Sequence, residues 1–158
     1  MSNFRVVLIE PEIPQNTGNI GRTCVATNSE LHLVGPLGFE IDHKQLKRAG
    51  LDYWPHLKWF QYPNVESWLA KVDNPDRVFY FTTKSKLNYF QFQYQPGDWF
   101  VFGKETKGLP PEMLRCNSNH SVTIPQLGPV RSLNLATSVA IALYEGVRQI
   151  QTEHLPNE

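Results

Sequence analysis

The stretch SVTIPQLGPVRSLNLATSVAIALYEGVRQI, residues 121–150, decides which fold the chain can adopt. It begins as a short apolar strand, Val122 to Ile124, and then enters a loop rich in glycine and proline. A helix follows, because apolar residues recur every three or four positions from Leu135 to Ile150. Ser132 and Asn134 are both suitable N-cap residues for it. This strand, loop and helix form either a ligand cradle or the ordinary last strand and helix of an α/β domain.

Other short apolar segments predict further strands in the rest of the chain. They are Phe4–Ile9, Leu31–Val34, Trp59–Gln61, Arg77–Thr82 and Asp98–Phe102. The first is almost continuously apolar, which is typical of a strand covered on both faces. Because helical segments alternate with these strands, we expect an α/β fold with a mainly parallel sheet flanked by helices. Residues 1–158 should form a single domain, with a frayed tail over residues 151–158.

Asparagine and aspartate residues mark the starts of three shorter helices. Asn16 is expected to cap a helix that ends near residue 28, Asp42 a helix over residues 44–49, and Asn64 a helix over residues 65–72. A brief helical turn is expected over residues 111–114. Gly18 and Gly21 lie inside the first helix, where each costs about 1 kcal/mol relative to alanine. We therefore expect some other group to approach that backbone closely.

Composition excludes several classes of protein. A hydrophobic content of 41% and a charged content of 19% are typical of a soluble globular domain, and no apolar run is long enough to span a bilayer. The chain enters its first strand without a basic segment or cleavage site, so we expect a cytoplasmic protein with reduced thiols at Cys24 and Cys116. The histidines occur singly, and no metal site is expected.

The formal net charge is zero, so a nucleic-acid partner would require a local basic patch. The densest basic cluster consists of Lys44, Lys47 and Arg48. These residues could contact phosphates or could simply keep a helix face soluble.

Three glycine-bearing loops follow predicted strands, at residues 16–22, 103–109 and 125–134. Because the carboxyl ends of parallel strands share one edge of a sheet, we expect these loops to form a ligand crevice. The order of residues in the second loop is not that of a phosphate-binding P-loop. The loops contain no Ser-His-Asp order, nucleophilic cysteine setting or carboxylate pair, so the chemistry should depend on positioning.

The same loops carry three motifs of a known superfamily. NTGNIGR at 16–22, FGKETKGL at 102–109 and IPQLGPVRSLNLATSVAIALYE at 124–145 resemble the motifs of the SPOUT methyltransferases. Within that superfamily the chain resembles the small tRNA 2′-O-methyltransferases that act on the wobble cytidine or uridine. The similarity also covers EPEIPQNTGN at 10–19 and LKRAGLDY at 46–53. It implies a C-terminal trefoil knot, S-adenosyl-L-methionine as cofactor, and a homodimer that modifies the anticodon stem-loop of tRNA.

The resemblance also implies roles for individual residues. Arg22 would orient the nucleotide and stabilise the developing alkoxide, and Asn16 would hold its loop. Tyr144 would contact RNA, together with the three basic residues of the 44–48 cluster, or would simply pack. Glu105 and Asn134 are expected to brace the loops. The positions that correspond to the cofactor site are Phe81, Gly103, Ile124, Leu127, Ser132 and Leu133.

Two other functions fit the same residues. A methyltransferase of this fold could act on a different RNA, such as a ribosomal 2′-hydroxyl. A non-catalytic RNA-binding or assembly factor could also retain the fold, although the presence of Arg22, Gly103 and Ser132 argues against it.

Overall fold

The computed structural model describes residues 2–41 and 52–152. Single 3₁₀ turns lie at Trp54–His56, Pro75–Arg77, Tyr89–Gln91 and Ser118–His120. The strands of this part of the chain are β1 (Arg5–Ile9), β2 (Glu30–Val34), β3 (Trp59–Tyr62), β4 (Val78–Phe81), β5 (Trp99–Phe102) and β6 (Ser121–Val122). Its α-helices are α1 (Pro14–Ala26), α2 (Val65–Leu69), α3 (Pro111–Cys116) and α4 (Leu135–Thr152).

The strands form one parallel sheet in the order β3-β2-β1-β5-β4-β6. β1 lies between β2 and β5, and its side chains alternate between two cores. Val6 and Leu8 pack on one face of the sheet, whereas Val7 and Ile9 pack on the other. The predicted parallel α/β sheet is therefore confirmed, as is a first strand covered on both faces.

α1 and α4 pack on the same face of the sheet. Ile20 of α1 and Leu143 of α4 are fully buried in the core that also holds Phe4. α4 lies very close to the residue that precedes β1, because a Cβ added to Gly146 would be 2.6 Å from Cζ of Phe4. The apolar stripe predicted for the last helix is confirmed, and both helices lead back from the edge where the strands end.

The first helix differs from the prediction at both ends. Ile13 occupies the N-cap position and Pro14 begins the helix, so the prediction that Asn16 caps it was wrong. Proline is favoured at the first helical position because its missing N–H has no partner there in any case. Asn16 lies in the first turn and is buried. The helix ends at Ala26, since Asn28 adopts a left-handed conformation with φ 52°.

The remaining boundaries lie close to the predicted ones, with strand ends within two residues. The Asn64 cap is confirmed, because its Oδ1 accepts a hydrogen bond from Ser67 N at 2.9 Å. The helix behind it ends at Leu69 rather than at residue 72, because Val72 N donates to Leu69 O in a tighter turn. Residues 151 and 152, the first two of the predicted frayed tail, belong to α4. Residues 153–158 and the predicted helix over residues 44–49 lie outside the described residues.

Cys24 is buried and Cys116 is exposed, and both are free thiols, as predicted. Over residues 2–41 and 52–152, no helix combines the length and the hydrophobicity that crossing a bilayer requires.

His32 on β2 is a buried histidine with a polar group at each ring nitrogen. Nε2 lies 2.9 Å from Glu30 Oε2, and Nδ1 lies 3.0 Å from the Tyr62 hydroxyl. A neutral ring protonated on Nε2 satisfies both contacts, because Nε2–H donates to the carboxylate and Nδ1 accepts from the phenol. Burial lowers the pKa of His32 below its ordinary value, although Glu30 acts in the opposite direction.

We expect the free energy of unfolding to fall as the pH drops below about 6.5, the ordinary pKa of histidine. Below that pH His32 binds a proton in the unfolded chain but not in the folded protein, because its pKa is lower in the folded state. The free energy of unfolding stops falling once the pH is below that lowered pKa. Chemical denaturation from about pH 7.5 to 5 measures the effect, with His32→Gln as the control that lacks the titrating group. Equal pH dependence in the two proteins would contradict the prediction.

Candidate active site at the carboxyl edge of the sheet

The loop after β5 is joined to the loop after β1 by a carboxylate. Glu105 Oε2 accepts a hydrogen bond from Glu12 N at 2.8 Å, and Glu105 Oε1 accepts one from Ile13 N at 3.1 Å. Pro14 has no N–H, so these amides are the donors exposed just before α1. A carboxylate at this place also interacts favourably with the positive end of the helix dipole. Glu105 therefore supplies the anionic cap that the side chains of α1 do not provide.

Glu12, in the loop after β1, in turn binds the loop after β5. Its Oε1 accepts hydrogen bonds from Thr106 Oγ1 at 2.7 Å and from Thr106 N at 3.2 Å. These bonds hold the pKa of the Glu12 carboxyl below its ordinary value, so Glu12 is ionised at neutral pH. Lys104 Nζ lies 3.1 Å from Glu10 Oε2 and adds an ion pair between the loops. The two loops thus hold each other through reciprocal carboxylate contacts.

The third loop is linked to the first through two asparagines. Asn134 Nδ2 donates to Asn16 Oδ1 at 3.1 Å. Asn134 Oδ1 accepts from the amides of Ala136 at 2.9 Å and Thr137 at 3.3 Å, so Asn134 caps α4. The three predicted segments therefore meet at one edge of the sheet, although residues 16–22 lie in α1 and are not a loop.

We expect Asn134→Ala to destabilise the protein by about 2 kcal/mol. The substitution removes the cap of α4 and leaves Oδ1 of the buried Asn16 without its donor. Thermal unfolding measures the loss. Asn134→Ser is the matched control, because it retains a capping oxygen, and it should lose about 1 kcal/mol less. Equal stability of the wild type and the alanine variant would contradict this account of the loop.

Gly103 begins a loop that folds back tightly on itself. A Cβ at this position would lie 2.0 Å from the carbonyl carbon of Gly108 and 2.1 Å from the nitrogen of Leu109. The loop therefore presents main-chain groups here, with no space for a side chain. Beside it, Phe81 at the end of β4 stacks on Phe102 at the end of β5, with ring centroids 4.6 Å apart.

The predicted cofactor residues of the third loop differ in exposure. Ile124 is half-buried against the core beneath α1 and α4, and Leu133 is also half-buried. Ser132 is exposed and Leu127 is fully exposed. The structure thus places Phe81, Gly103 and Ile124 at the carboxyl edge. Leu127 belongs to the same loop as Ile124 but is not packed against that edge.

Arg22 lies on the exposed side of α1. It is six residues beyond Asn16, about 9 Å further along the helix axis. Its guanidinium carbon lies 5.3 Å from the centroid of the Tyr53 ring.

Tyr144 is distant from the end of the third loop. It lies on α4 ten residues after Asn134, about 15 Å along the axis. Its side chain is 52% exposed and lines an open cavity of about 490 Å³ beside Thr27 at the end of α1. The remaining predicted RNA contacts, Lys44, Lys47 and Arg48, lie outside the described residues.

Sequence reasoning missed Glu12, Thr106 and Tyr53. Glu12 and Thr106 are 94 residues apart, and no local pattern connects them. Tyr53 had one indirect signal, because the cost of Gly21 in a helix predicted a close neighbour. That neighbour is the segment around Tyr53: a Cβ on Gly21 would lie 3.1 Å from Leu57 Cδ2 and 3.4 Å from Tyr53 Cε2.

The chain matches a known protein family over most of its length. Residues 3–144 match the family described as the SpoU rRNA Methylase family. The match includes the three loops, all six strands and the first half of α4.

Individual relatives are similar over nearly the full chain. A protein of Burkholderia pseudomallei named tRNA (cytidine(34)-2'-O)-methyltransferase is 43% identical over 148 residues, 92% of this chain and 95% of that protein. A solved structure described as "Structural insights into the 2-OH methylation of C/U34 on tRNA" has a TM-score of 0.87 and 42% identity, over 94% of this chain and 97% of that chain. A SpoU methyltransferase of Streptomyces viridochromogenes in complex with the cofactor AdoMet has a TM-score of 0.80 and 25% identity, over 96% of this chain and 60% of that chain.

Proposed function

The chain belongs to the SpoU rRNA methylase family, and we propose that it methylates the ribose 2′-hydroxyl of the wobble nucleotide, cytidine or uridine 34, of tRNA. The methyl donor is S-adenosyl-L-methionine. The observation that carries the proposal is the agreement, over more than nine-tenths of the chain, with relatives whose names state this reaction.

The residues at the carboxyl edge suit this cofactor. Phe81 and Ile124 provide apolar contact for an adenosine, and the Gly103 loop presents main-chain groups for its polar atoms. Lys104, the cation nearest to Gly103 in sequence, is paired with Glu10, which favours a positively charged ligand. Leu127, Ser132 and Leu133 are proposed to complete the site.

S-adenosyl-L-methionine supplies a methyl group on a cationic sulfonium, which the ribose oxygen attacks in line. Arg22 is proposed to orient the nucleotide and to stabilise the charge that develops on that oxygen. An arginine side chain keeps its proton at neutral pH, so Arg22 is not the base. Asn16 is proposed to support the reaction indirectly, because its hydrogen bond with Asn134 holds the first and third loops together.

The carboxylates of the loops are not available to accept the proton of the 2′-hydroxyl. Glu10 is paired with Lys104, Glu12 accepts from Thr106, and Glu105 accepts from two main-chain amides. We therefore assign the proton acceptor to a phosphate of the RNA or to solvent, with the positive charge of Arg22 easing the loss of the proton.

Contacts to the rest of the RNA are proposed for Tyr144 and for the basic cluster Lys44, Lys47 and Arg48. Contacts of lysine and arginine with phosphates release counterions, so binding should weaken steeply as salt concentration rises. Because tRNA is the proposed substrate, we place the protein in the cytoplasm.

A homodimer belongs to the same proposal. Exposed apolar side chains lie before α1, in the third loop and on α4, at Ile13, Leu127, Val130 and Tyr144. Such surface favours association with another chain. Because Arg22 is exposed on α1, a second copy would allow it to serve either its own site or the partner's site. Sedimentation equilibrium should give twice the monomer mass, whereas a monomer at assay concentration would contradict the dimer.

The C-terminal trefoil knot is also part of the proposal. Its support is the similarity to the solved structures, together with pairing between residues 87–89 and Thr123, which precedes the third loop.

The proposal is tested by incubating the protein with labelled S-adenosyl-L-methionine and, in separate reactions, total tRNA or ribosomal RNA from cells that lack this chain. Digestion and nucleoside mapping should locate the label as a 2′-O-methyl group at residue 34. Label in ribosomal RNA instead of tRNA would favour the other methyltransferase reading. RNA binding without methyl transfer to either RNA would favour the non-catalytic one.

A further inference from the structure

Tyr53 forms a platform beneath the guanidinium of Arg22. The guanidinium carbon lies 5.3 Å from the centroid of the Tyr53 ring, within the range of a cation–π contact. Tyr53 is 9% exposed, so its ring is fixed by packing, whereas Arg22 is on the exposed side of α1. No carboxylate of the described residues forms a salt bridge with Arg22.

The Tyr53 ring is itself attached to the helix that carries Arg22. Its hydroxyl donates a hydrogen bond to the carbonyl of Gly18. In α-helical geometry that carbonyl also accepts the amide of Arg22, four residues later. The edge of the ring would lie 3.4 Å from a Cβ on Gly21, the residue before Arg22. The ring therefore contacts the helix at two positions in the turn that leads to Arg22.

A ring differs from a carboxylate as a partner for a functional arginine. A carboxylate would occupy two of the five N–H donors and neutralise the charge. A ring face limits the directions that the guanidinium can adopt but uses none of those donors. An arginine held in this way retains its charge and its hydrogen-bonding capacity for a substrate.

We propose that Tyr53 is a positioning residue for the methyl-transfer reaction, which holds Arg22 ready to present the ribose of the RNA. This inference rests on the proposed role of Arg22. Tyr53 does not touch the reacting atoms, and its whole effect passes through the guanidinium.

The test is a double-mutant cycle between Tyr53 and Arg22, read as kcat for methylation of an anticodon stem-loop RNA. Tyr53→Leu should lower kcat by about three- to thirtyfold, with the Kd for S-adenosyl-L-methionine unchanged. Tyr53→Phe keeps the ring and should retain kcat within about threefold. In the Arg22→Ala background, Tyr53→Leu should cause no further loss, because the group through which it acts is gone.

A fluorinated ring separates the electronic effect from packing. Replacing the phenylalanine of the Tyr53→Phe variant with pentafluorophenylalanine preserves the shape but removes the negative ring face, and kcat should fall towards that of Tyr53→Leu. This comparison remains informative if the leucine variant does not fold. Leu57→Ala is the packing control, since Leu57 contacts the same helix. It should lower the unfolding temperature equally in the wild-type and Arg22→Ala proteins, and its effect on kcat should show no coupling to Arg22.

The outcomes distinguish the inference from the function on which it rests. If Arg22→Ala loses activity but Tyr53→Leu and the fluorinated ring do not, the role of Tyr53 is overturned while that of Arg22 stands. A full additional loss from Tyr53→Leu in the Arg22→Ala background would make Tyr53 merely structural. If Arg22→Ala itself retains full activity, the proposed role of Arg22 fails, and the inference about Tyr53 fails with it.

Discussion

Replacing Gly103 with alanine is expected to abolish cofactor binding and to destabilise the fold by about 3 kcal/mol or more. The added Cβ would lie 2.0 Å from the carbonyl carbon of Gly108 and 2.1 Å from the nitrogen of Leu109. Both are main-chain atoms, which cannot rotate away as the end of a flexible side chain can. The loop must therefore shift, and the main-chain groups that it presents to the cofactor shift with it. Isothermal titration with S-adenosyl-L-methionine and thermal unfolding measure the two effects.

Gly128 provides the matched control for this prediction. It lies in the third loop, and no atom outside its immediate neighbours comes within 4 Å of a Cβ added to it. Gly128→Ala should therefore change the free energy of unfolding by less than about 0.5 kcal/mol. If Gly103→Ala unfolds at the wild-type temperature and binds the cofactor normally, the tight loop is not what shapes the site.

Replacing Arg22 with alanine is expected to lower kcat by about a hundredfold or more while cofactor affinity and stability stay close to wild type. The substitution removes the positive charge assigned to the developing alkoxide. The side chain is exposed and contacts the Tyr53 ring, outside the cofactor loops, so we expect it to contribute little to folding or to cofactor binding. Single-turnover methylation of anticodon stem-loop RNA, combined with isothermal titration, separates these quantities.

Arg22→Lys is the control for charge. A lysine retains the positive charge but loses the planar fork of donors that can hold two oxygens at once, so its activity should lie between wild type and alanine. An alanine variant that methylates at the wild-type rate would show that Arg22 is only a solvated helix charge. Loss of cofactor binding in the same variant would place Arg22 in the donor site instead of the ribose site.

Elements governed by local periodicity could be predicted well from the sequence. The apolar stripe of α4 and the two-sided burial of β1 follow from side-chain spacing alone. The meeting of the three loops followed from one topological rule, that parallel strands end at a common edge. The cost of Gly21 correctly indicated a close neighbour, but not that the neighbour was an aromatic segment rather than a ligand.

Elements governed by contacts between distant segments could not be predicted. Asparagine is a residue type that commonly caps helices, but Pro14 begins this helix before Asn16, and Glu105 supplies an anionic cap from another loop. The hydrogen bond between Glu12 and Thr106 joins residues 94 positions apart, and no local sequence pattern indicates it. The roles of residues in the site came from the resemblance to a family, because loops without a nucleophile carry little chemical signal of their own.

The central claim is that the protein delivers a methyl group to one ribose oxygen of the wobble nucleotide. The most direct measurement compares two anticodon stem-loop RNAs that differ only at residue 34, where one has a 2′-hydroxyl and the other a 2′-hydrogen. With labelled S-adenosyl-L-methionine, the first RNA should accept about one methyl group per molecule and the second none, although both bind. Equal labelling of the two RNAs, or labelling of neither by a protein that binds both, would contradict the claim.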